Sequence, residues 1–268
     1  MEGLVVLLTD FGASEYAGVM RGILARYSRE IRWCDLTHHV PPQAVRTGAW
    51  ILLTSYGFFP EGSVFLAVVD PGVGTDRQAV AVRTRRYFFV GPDNGLLWPA
   101  VADDGGPLEA VALPIPPQAS RTFHGRDVFA PAAARLAGGE PITSLGPPTT
   151  LRERLVFHLA GREGEVVQID EFGNIITNLP PVAGAAAYDL HWGGDWGKIA
   201  GSDEAQAGAA RVRPERIRSV GAYGEGAPGE LVVVTGSAGT LELAVVGERA
   251  ADRLPARLGQ RLRLEPAG

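Results

Sequence analysis

Unbroken apolar runs and stretches of helical spacing alternate through the first half of the chain. Leu4–Thr9 (LVVLLT) is a continuous apolar run, the pattern of a strand covered on both faces, and it ends in Thr9-Asp10-Phe11-Gly12. Helical spacing follows over Tyr16–Tyr27, then a second strand pattern over Ile31–Leu36. Pro41-Pro42 is expected to open a helix carrying Val45, Ala49, Ile51 and Leu52, because proline is tolerated in a first helical turn. Ser63–Val69, Ala79–Arg83 and Tyr87–Val90 read as three further strands. Asp127–Leu136 reads as a short Ala-rich helix, with Asp127 suited to cap or charge its first turn. This alternation predicts an α/β domain with a mostly parallel sheet.

After the Pro- and Gly-bearing stretch Gly138–Thr150 the pattern changes. Glu165–Ile169, Asn174–Asn178, Leu231–Thr235, Leu241–Val246 and Gln260–Leu264 are short, β-rich and separated by turn residues. They predict a smaller all-β, barrel-like domain. The expected organisation is an N-terminal α/β domain over 1–145, a linker over 146–162 and a β-barrel domain over 163–268. Gly193 to Ala210 reads as a long surface loop, with Asp195 and Trp196 its only chemically notable members.

Composition narrows the function classes. A net charge of −5 over 268 residues argues against a nucleic-acid binder, which carries a basic face. The single cysteine, Cys34, falls in a predicted strand and leaves no disulfide framework, which fits a reducing compartment. No apolar stretch approaches the ~20 residues that cross a bilayer. The start, with Glu2 in place of a basic leader, does not resemble a signal peptide, so a cytoplasmic protein is expected. The five histidines show no metal-ligand spacing, and neither a bound metal nor a cofactor is expected. Walker-lysine, Gly-x-Ser-x-Gly and Gly-x-Gly-x-x-Gly patterns are missing too, which disfavours nucleotide hydrolysis, serine esterase chemistry and ordinary dinucleotide binding.

The candidate chemistry sits where strands end, the place where open α/β sheets bind ligands. Asp70 opens Asp-Pro-Gly-Val-Gly-Thr-Asp-Arg directly after the third strand, and Arg77 closes it. His124, within Thr122-Phe123-His124-Gly125-Arg126-Asp127, can supply a titratable base. A structural Asp–Arg pair with an unrelated histidine fits the same spacing. Asp10 suits the paired hydroxyls of a ribose, and suits a helix cap equally well. Asp170-Glu171-Phe172-Gly173-Asn174 reads as a hairpin turn, or as a stacking face (Phe172) beside an amide able to read an adenine edge (Asn174). Ser237-Ala238-Gly239-Thr240-Leu241-Glu242 is a similar turn whose backbone NH groups suit a carboxylate. His38 and His39 stand at a strand end, where a cleft or a capping role fits.

Taken together, TDFG, THHVPPQAVRTGA, FFPEGSVFLAVVDPGVGT, VGPDNGLL, TFHGRDVFAPAAARLA, DEFGNIITNLP and SAGTLELAV resemble the S-adenosylmethionine hydroxide adenosyltransferase family, relatives of the fluorinating and chlorinating enzymes. The motifs run in the family's order from Leu7 to about Val246. The resemblance implies an α/β domain followed by a β-barrel domain, in a homotrimer with sites between subunits. It also implies that S-adenosyl-L-methionine is split by water into adenosine and L-methionine. Asp70, Arg77 and His124 match the catalytic set and Asp10 the ribose carboxylate. Phe172 and Asn174 match the adenine contacts, and Asp170 and Ser237 the methionine contacts; Glu242 is taken with these substrate-binding positions. The halogenating relatives carry a tyrosine in place of Asp70 and a halide-binding serine in place of Gly125. One departure follows TDFG: relatives have an Asp and one more residue before the helix, and Glu15 stands nearest that acid's place. A non-catalytic binder of adenosine or S-adenosylmethionine, and a 5′-halogenating transferase, are the competing classes.

Overall fold

The computed structural model describes residues 3–192 and 214–267. Its contacts divide the chain into two compact units, Met1–Val156 and Phe157–Gly268.

The first unit runs β1 (Leu4–Thr9), α1 (Tyr16–Tyr27), β2 (Arg32–Thr37), α2 (Val45–Ser55), β3 (Val64–Val68), β4 (Ala79–Arg83), β5 (Phe88–Pro92), α3 (Trp98–Asp103), β6 (Glu109–Ala112) and α4 (Ala130–Ala137). The sheet order is β2-β1-β3-β5-β4-β6. Strands β2, β1, β3 and β5 pair in parallel, whereas β4 is antiparallel to both β5 and β6. The mixed edge follows from chain length, because the link from Arg83 to Phe88 is too short for a crossover and closes a hairpin, with Thr84 N–H donating to the Tyr87 carbonyl at 2.9 Å. The apolar runs are continuous because both faces are covered. Val5, Leu7, Val64 and Leu66 share a core with Met20, Leu24 and the alanines of α4. On the opposite face α2 approaches so closely that a Cβ on Gly48 would meet Leu96 at 2.9 Å and Leu8 at 3.6 Å.

Two helix starts differ from expectation. Pro41-Pro42 does not open α2, which begins at Val45, because Gln43 adopts a left-handed backbone (φ 64°) that cannot continue into a helix. Asp127 does not cap α4. A π-turn, Gly125–Phe129, precedes that helix, and Asp127 inside it accepts from the Ser120 N–H at 2.8 Å. Of the expected linker, Pro148 bridges to Val111, and the Arg152 and Glu153 N–H groups donate to buried Asp93 at 2.9 and 3.4 Å.

The second unit contains β7 (Glu163–Ile169), β8 (Ile175–Thr177), β9 (Ala187–Trp192), β10 (Glu215–Val220), β11 (Leu231–Thr235), β12 (Leu241–Val245), α5 (Ala250–Arg253) and β13 (Arg261–Ala267). Among the described residues its strands close a barrel in the order β10-β11-β12-β8-β7-β13-β9, sealed by antiparallel pairing of β9 with β10. Tyr188, Leu190, Ile217, Val233, Leu243 and Leu264 are among the side chains filling its interior. The loop expected over 193–210, with Asp195 and Trp196, lies outside the described residues. No described helix is long and apolar enough to cross a membrane.

Candidate active site

Strand β3 ends at Val68, the buried Val69 follows, and Asp70 then enters a tight turn. Val73 N–H donates to the Asp70 carbonyl at 3.2 Å and Thr75 N–H to Gly72 at 3.2 Å. Gly74 takes φ 76°, and a Cβ there would run into the Arg121 carbonyl. The turn brings Arg77 back onto Asp70. Its Nε donates to Asp70 Oδ1 at 2.9 Å and its Nη2 to Oδ2, and both side chains are buried. The same Nη2 lies 2.9 Å from His124 Nδ1. A guanidinium has only donors, so Nδ1 accepts and the imidazole proton sits on Nε2. Burial of His124, then the Arg77 cation, hold its pKa below the ordinary 6.5, against the opposing pull of Asp70 and Asp127. The ring is therefore neutral at neutral pH. Arg77 also lies over the Phe129 ring, 5.2 Å from its centroid, and its Nη1 is buried without a partner. Asp70 and His124 border a cavity of about 520 Å³, whose wall also includes Asp10, Phe11, Tyr16 and Gln43. Asp10 is fixed through Oδ2 by the Gln43 N–H at 2.8 Å.

A second cavity, about 490 Å³, lies within the barrel unit, and Phe172, Asn174, Tyr223 and Arg249 are on its wall. Phe172 is 79% exposed. Asp170 grips Asn174 through the backbone N–H (2.8 Å) and Nδ2 (2.9 Å), which leaves the amide Oδ1 and one N–H uncommitted by that pair. This pair also closes the β7–β8 hairpin, with Asp170 N–H donating to the Asn174 carbonyl at 3.1 Å. The turn reading therefore holds, and Phe172 and Asn174 of that turn line the cavity.

The model of the SAM hydroxide adenosyltransferase N-terminal domain matches residues 5–146, and that of the C-terminal domain matches 164–263. The chain belongs to the SAM hydroxide adenosyltransferase family. A Thermus thermophilus protein named (R)-S-adenosyl-L-methionine hydrolase is 41% identical over 97% of this chain and 98% of its own length. One of the same name from Salinispora tropica is 40% identical, over 96% and 95%. A fluorinase from Nocardia brasiliensis is more distant, 28% identical over 66% of this chain and 71% of its own. The crystal structure of an uncharacterized conserved protein from Thermotoga maritima superposes with a TM-score of 0.83 at 32% identity, covering 97% of this chain and 99% of that one.

Within this family fold, the residues expected from the sequence fall into two groups. Asp10, Asp70 and His124 line the first cavity, with Arg77 bonded to the latter two, and Phe172 and Asn174 line the second. Asp170 stands behind Asn174. Ser237 is exposed in the β11–β12 turn, where Gly236 N–H donates to the Thr240 carbonyl at 2.9 Å. Glu242 is not on either cavity wall; it is buried and accepts the Tyr223 hydroxyl at 2.6 Å. Glu15 is exposed at the start of α1. His38 is buried against Thr9, its Nδ1 2.8 Å from the hydroxyl. Several residues that shape the cavities carry no signal of their own in the sequence. Asn94, inside VGPDNGLL, donates Nδ2 to the Val69 carbonyl at 2.8 Å and so fixes the strand end that presents Asp70. Phe11, Tyr16 and Phe123 form an edge-on aromatic cluster, the Tyr16–Phe123 centroids 4.9 Å apart.

Proposed function

We propose that this protein hydrolyses S-adenosyl-L-methionine to adenosine and L-methionine by attack of water or hydroxide on the 5′ carbon. The observation that carries the reading is the Asp70–Arg77–His124 set, with Arg77 Nη2 shared between a carboxylate and a neutral imidazole beside a cavity of about 520 Å³. Full-length relatives named for this hydrolysis support it.

The chemistry asks little of an acid. Methionine leaves a sulfonium as a neutral thioether, so the leaving group needs no proton. What remains is to hold an oxygen in line with the C5′–S bond and to stabilise its hydroxide character. Arg77 stays protonated and supplies the positive field. His124, its Nδ1 engaged by Arg77, offers Nε2–H as a donor that orients the attacking oxygen. Asp70, the anionic member, accepts the water's proton for release to solvent. Asp10 takes the ribose hydroxyls, Phe172 and Asn174 the adenine, and Asp170 and Ser237 the methionine end. Neither metal nor cofactor takes part. Each cavity holds only part of this binding set, which suits a homotrimer with sites shared between subunits, acting in the cytoplasm.

The test is chromatography of S-adenosyl-L-methionine incubated with the pure protein and a chelator. Adenosine and methionine in equal amounts are expected. Binding without turnover would instead mark a non-catalytic adenosine or S-adenosylmethionine binder.

A further inference from the structure

His38 is a buried histidine, 9% exposed, that this reaction scheme leaves without a task. It follows β2 and is on the wall of neither cavity. Its ring joins side chains from three elements. Nδ1 lies 2.8 Å from the hydroxyl of Thr9, a fully buried residue at the end of β1. Nε2 lies 3.3 Å from Arg21 Nη2, on α1, and 3.2 Å from Asp35 Oδ1, on β2. Arg21 and Asp35 are themselves paired, at 2.8 Å. A hydroxyl both donates and accepts, and Nε2 has a cationic donor and an anionic acceptor in reach. The ring is therefore held at both nitrogens in either neutral tautomer.

What the ring holds is the loop that carries Asp10. The parallel ladder of β1 and β2 slips between Leu7 and Leu8, with Leu7 beside Asp35 and Leu8 beside Thr37. Beyond the slip, individual bonds take over. Thr9 Oγ1 accepts the Phe11 N–H at 3.3 Å, and Gly12 N–H donates to the His38 carbonyl at 2.7 Å. Val40 N–H donates to the Thr9 carbonyl at 3.3 Å. Asp10 lies inside this bracket, with its Oδ2 taken by the Gln43 N–H at 2.8 Å. A single bond to one carboxylate oxygen lets the group turn about it. The orientation of the other oxygen therefore depends on how firmly the backbone on either side is held.

We propose that His38 is a positioning residue, which braces the Thr9–Gly12 loop so that Asp10 meets both ribose hydroxyls without rearranging. This rests on the ribose reading of Asp10. A carboxylate already in place loses less freedom when the hydroxyl pair arrives, so the brace acts on recognition of the ribose and not on the chemical step.

Calorimetric titration of the full-length protein with adenosine and with 2′,3′-dideoxyadenosine tests it. Wild type should prefer adenosine by about tenfold or more, the scale of hydrogen bonds to a charged group. Thr9→Val keeps the shape of the side chain and removes its hydroxyl. That variant and His38→Leu should each lower the preference about three- to tenfold, by weakening adenosine and sparing the dideoxy analogue. Thr9→Ser should restore it. In turnover of S-adenosyl-L-methionine, KM should rise in step while kcat stays within about twofold, because the ribose contact is the same before and during reaction. If His38→Leu does not fold, Thr9→Val decides. A preference unchanged in Thr9→Val, or both ligands weakened equally, would make His38 merely structural and overturn the brace alone. A wild type that binds both ligands alike would overturn the ribose role of Asp10 and the brace together. A wild type that neither turns over the substrate nor binds adenosine would overturn the hydrolase reading as well.

Discussion

A single guanidinium links the two acid–base candidates, which come from positions 70 and 124, far apart in the sequence. Asp70→Ala, Arg77→Ala and His124→Ala should each lower kcat by roughly 10²-fold or more, the scale of a positioned acid–base group, with a smaller effect on KM. Arg77→Lys should not rescue, because a point charge cannot serve Asp70 twice and His124 at once. Near-normal kcat in Arg77→Ala would reduce the pair to a structural one. The sign of the pH dependence follows from His124. Its folded pKa lies below 6.5, so the neutral ring persists until the pH falls through that lowered value. The associated stability is present above 6.5 and is lost as the pH drops through the folded pKa. A kcat/KM profile should show an acid limb below 6.5 that His124→Gln changes. Gly125 sets the halide question. A Cβ there would sit 3.2 Å from both Met20 Sδ and the Phe123 ring, and glycine offers no hydroxyl of its own to replace an anion's hydration. Mass spectrometry at high fluoride or chloride should therefore find no 5′-halo-5′-deoxyadenosine, while adenosine still forms.

At the scale of elements, the apolar runs were a reliable guide wherever an element buries both faces. The strands β1, β3, β4 and β11 lie where their sequences place them, and α1 does as well. What escaped depends on neighbours. Strand β9 (AYDLHW) buries only Tyr188 and Leu190 and β10 (ERIRSV) only Ile217 and Val220, and β9 pairs with β13, far along the chain. Helix α3 is six residues long and starts at Trp98-Pro99. The π-turn before α4 has no pattern of its own: its Asp127–Phe129 part falls in the helix expected over Asp127–Leu136, and the extra residue per turn shows only in three dimensions. Gln43 is similar, a left-handed residue after two prolines, whose N–H is thereby turned onto Asp10. Backbone conformation also sets the Asp70–Arg77 turn. Gly74→Ala should cost about 1–3 kcal/mol, through its φ of 76° and its approach to Arg121, and lower the melting temperature. An unchanged melting temperature would show that the turn relaxes freely.

For the molecule as a whole, the motif order along the chain made both the family and the two-part architecture legible, whereas the geometry inside each cavity was not. Spacing could not pair His124 with Arg77, nor reveal that Arg77 fixes the tautomer of the ring, because both follow from tertiary contacts. The division of the candidate binding residues between two cavities leads to an assembly prediction. If sites are shared between subunits, mixing Asp10→Ala with Asn174→Ala protein and allowing exchange should restore part of the activity, and no recovery after verified exchange would argue against shared sites. The central claim is that a water oxygen, positioned by Asp70, Arg77 and His124, displaces methionine at the 5′ carbon. The most direct measurement is turnover of S-adenosyl-L-methionine in ¹⁸O-water, with mass analysis of both products. Heavy oxygen on the 5′ carbon of adenosine, and unlabelled methionine, is the predicted result; adenosine without label, or a 5′ product bearing another nucleophile, would contradict it.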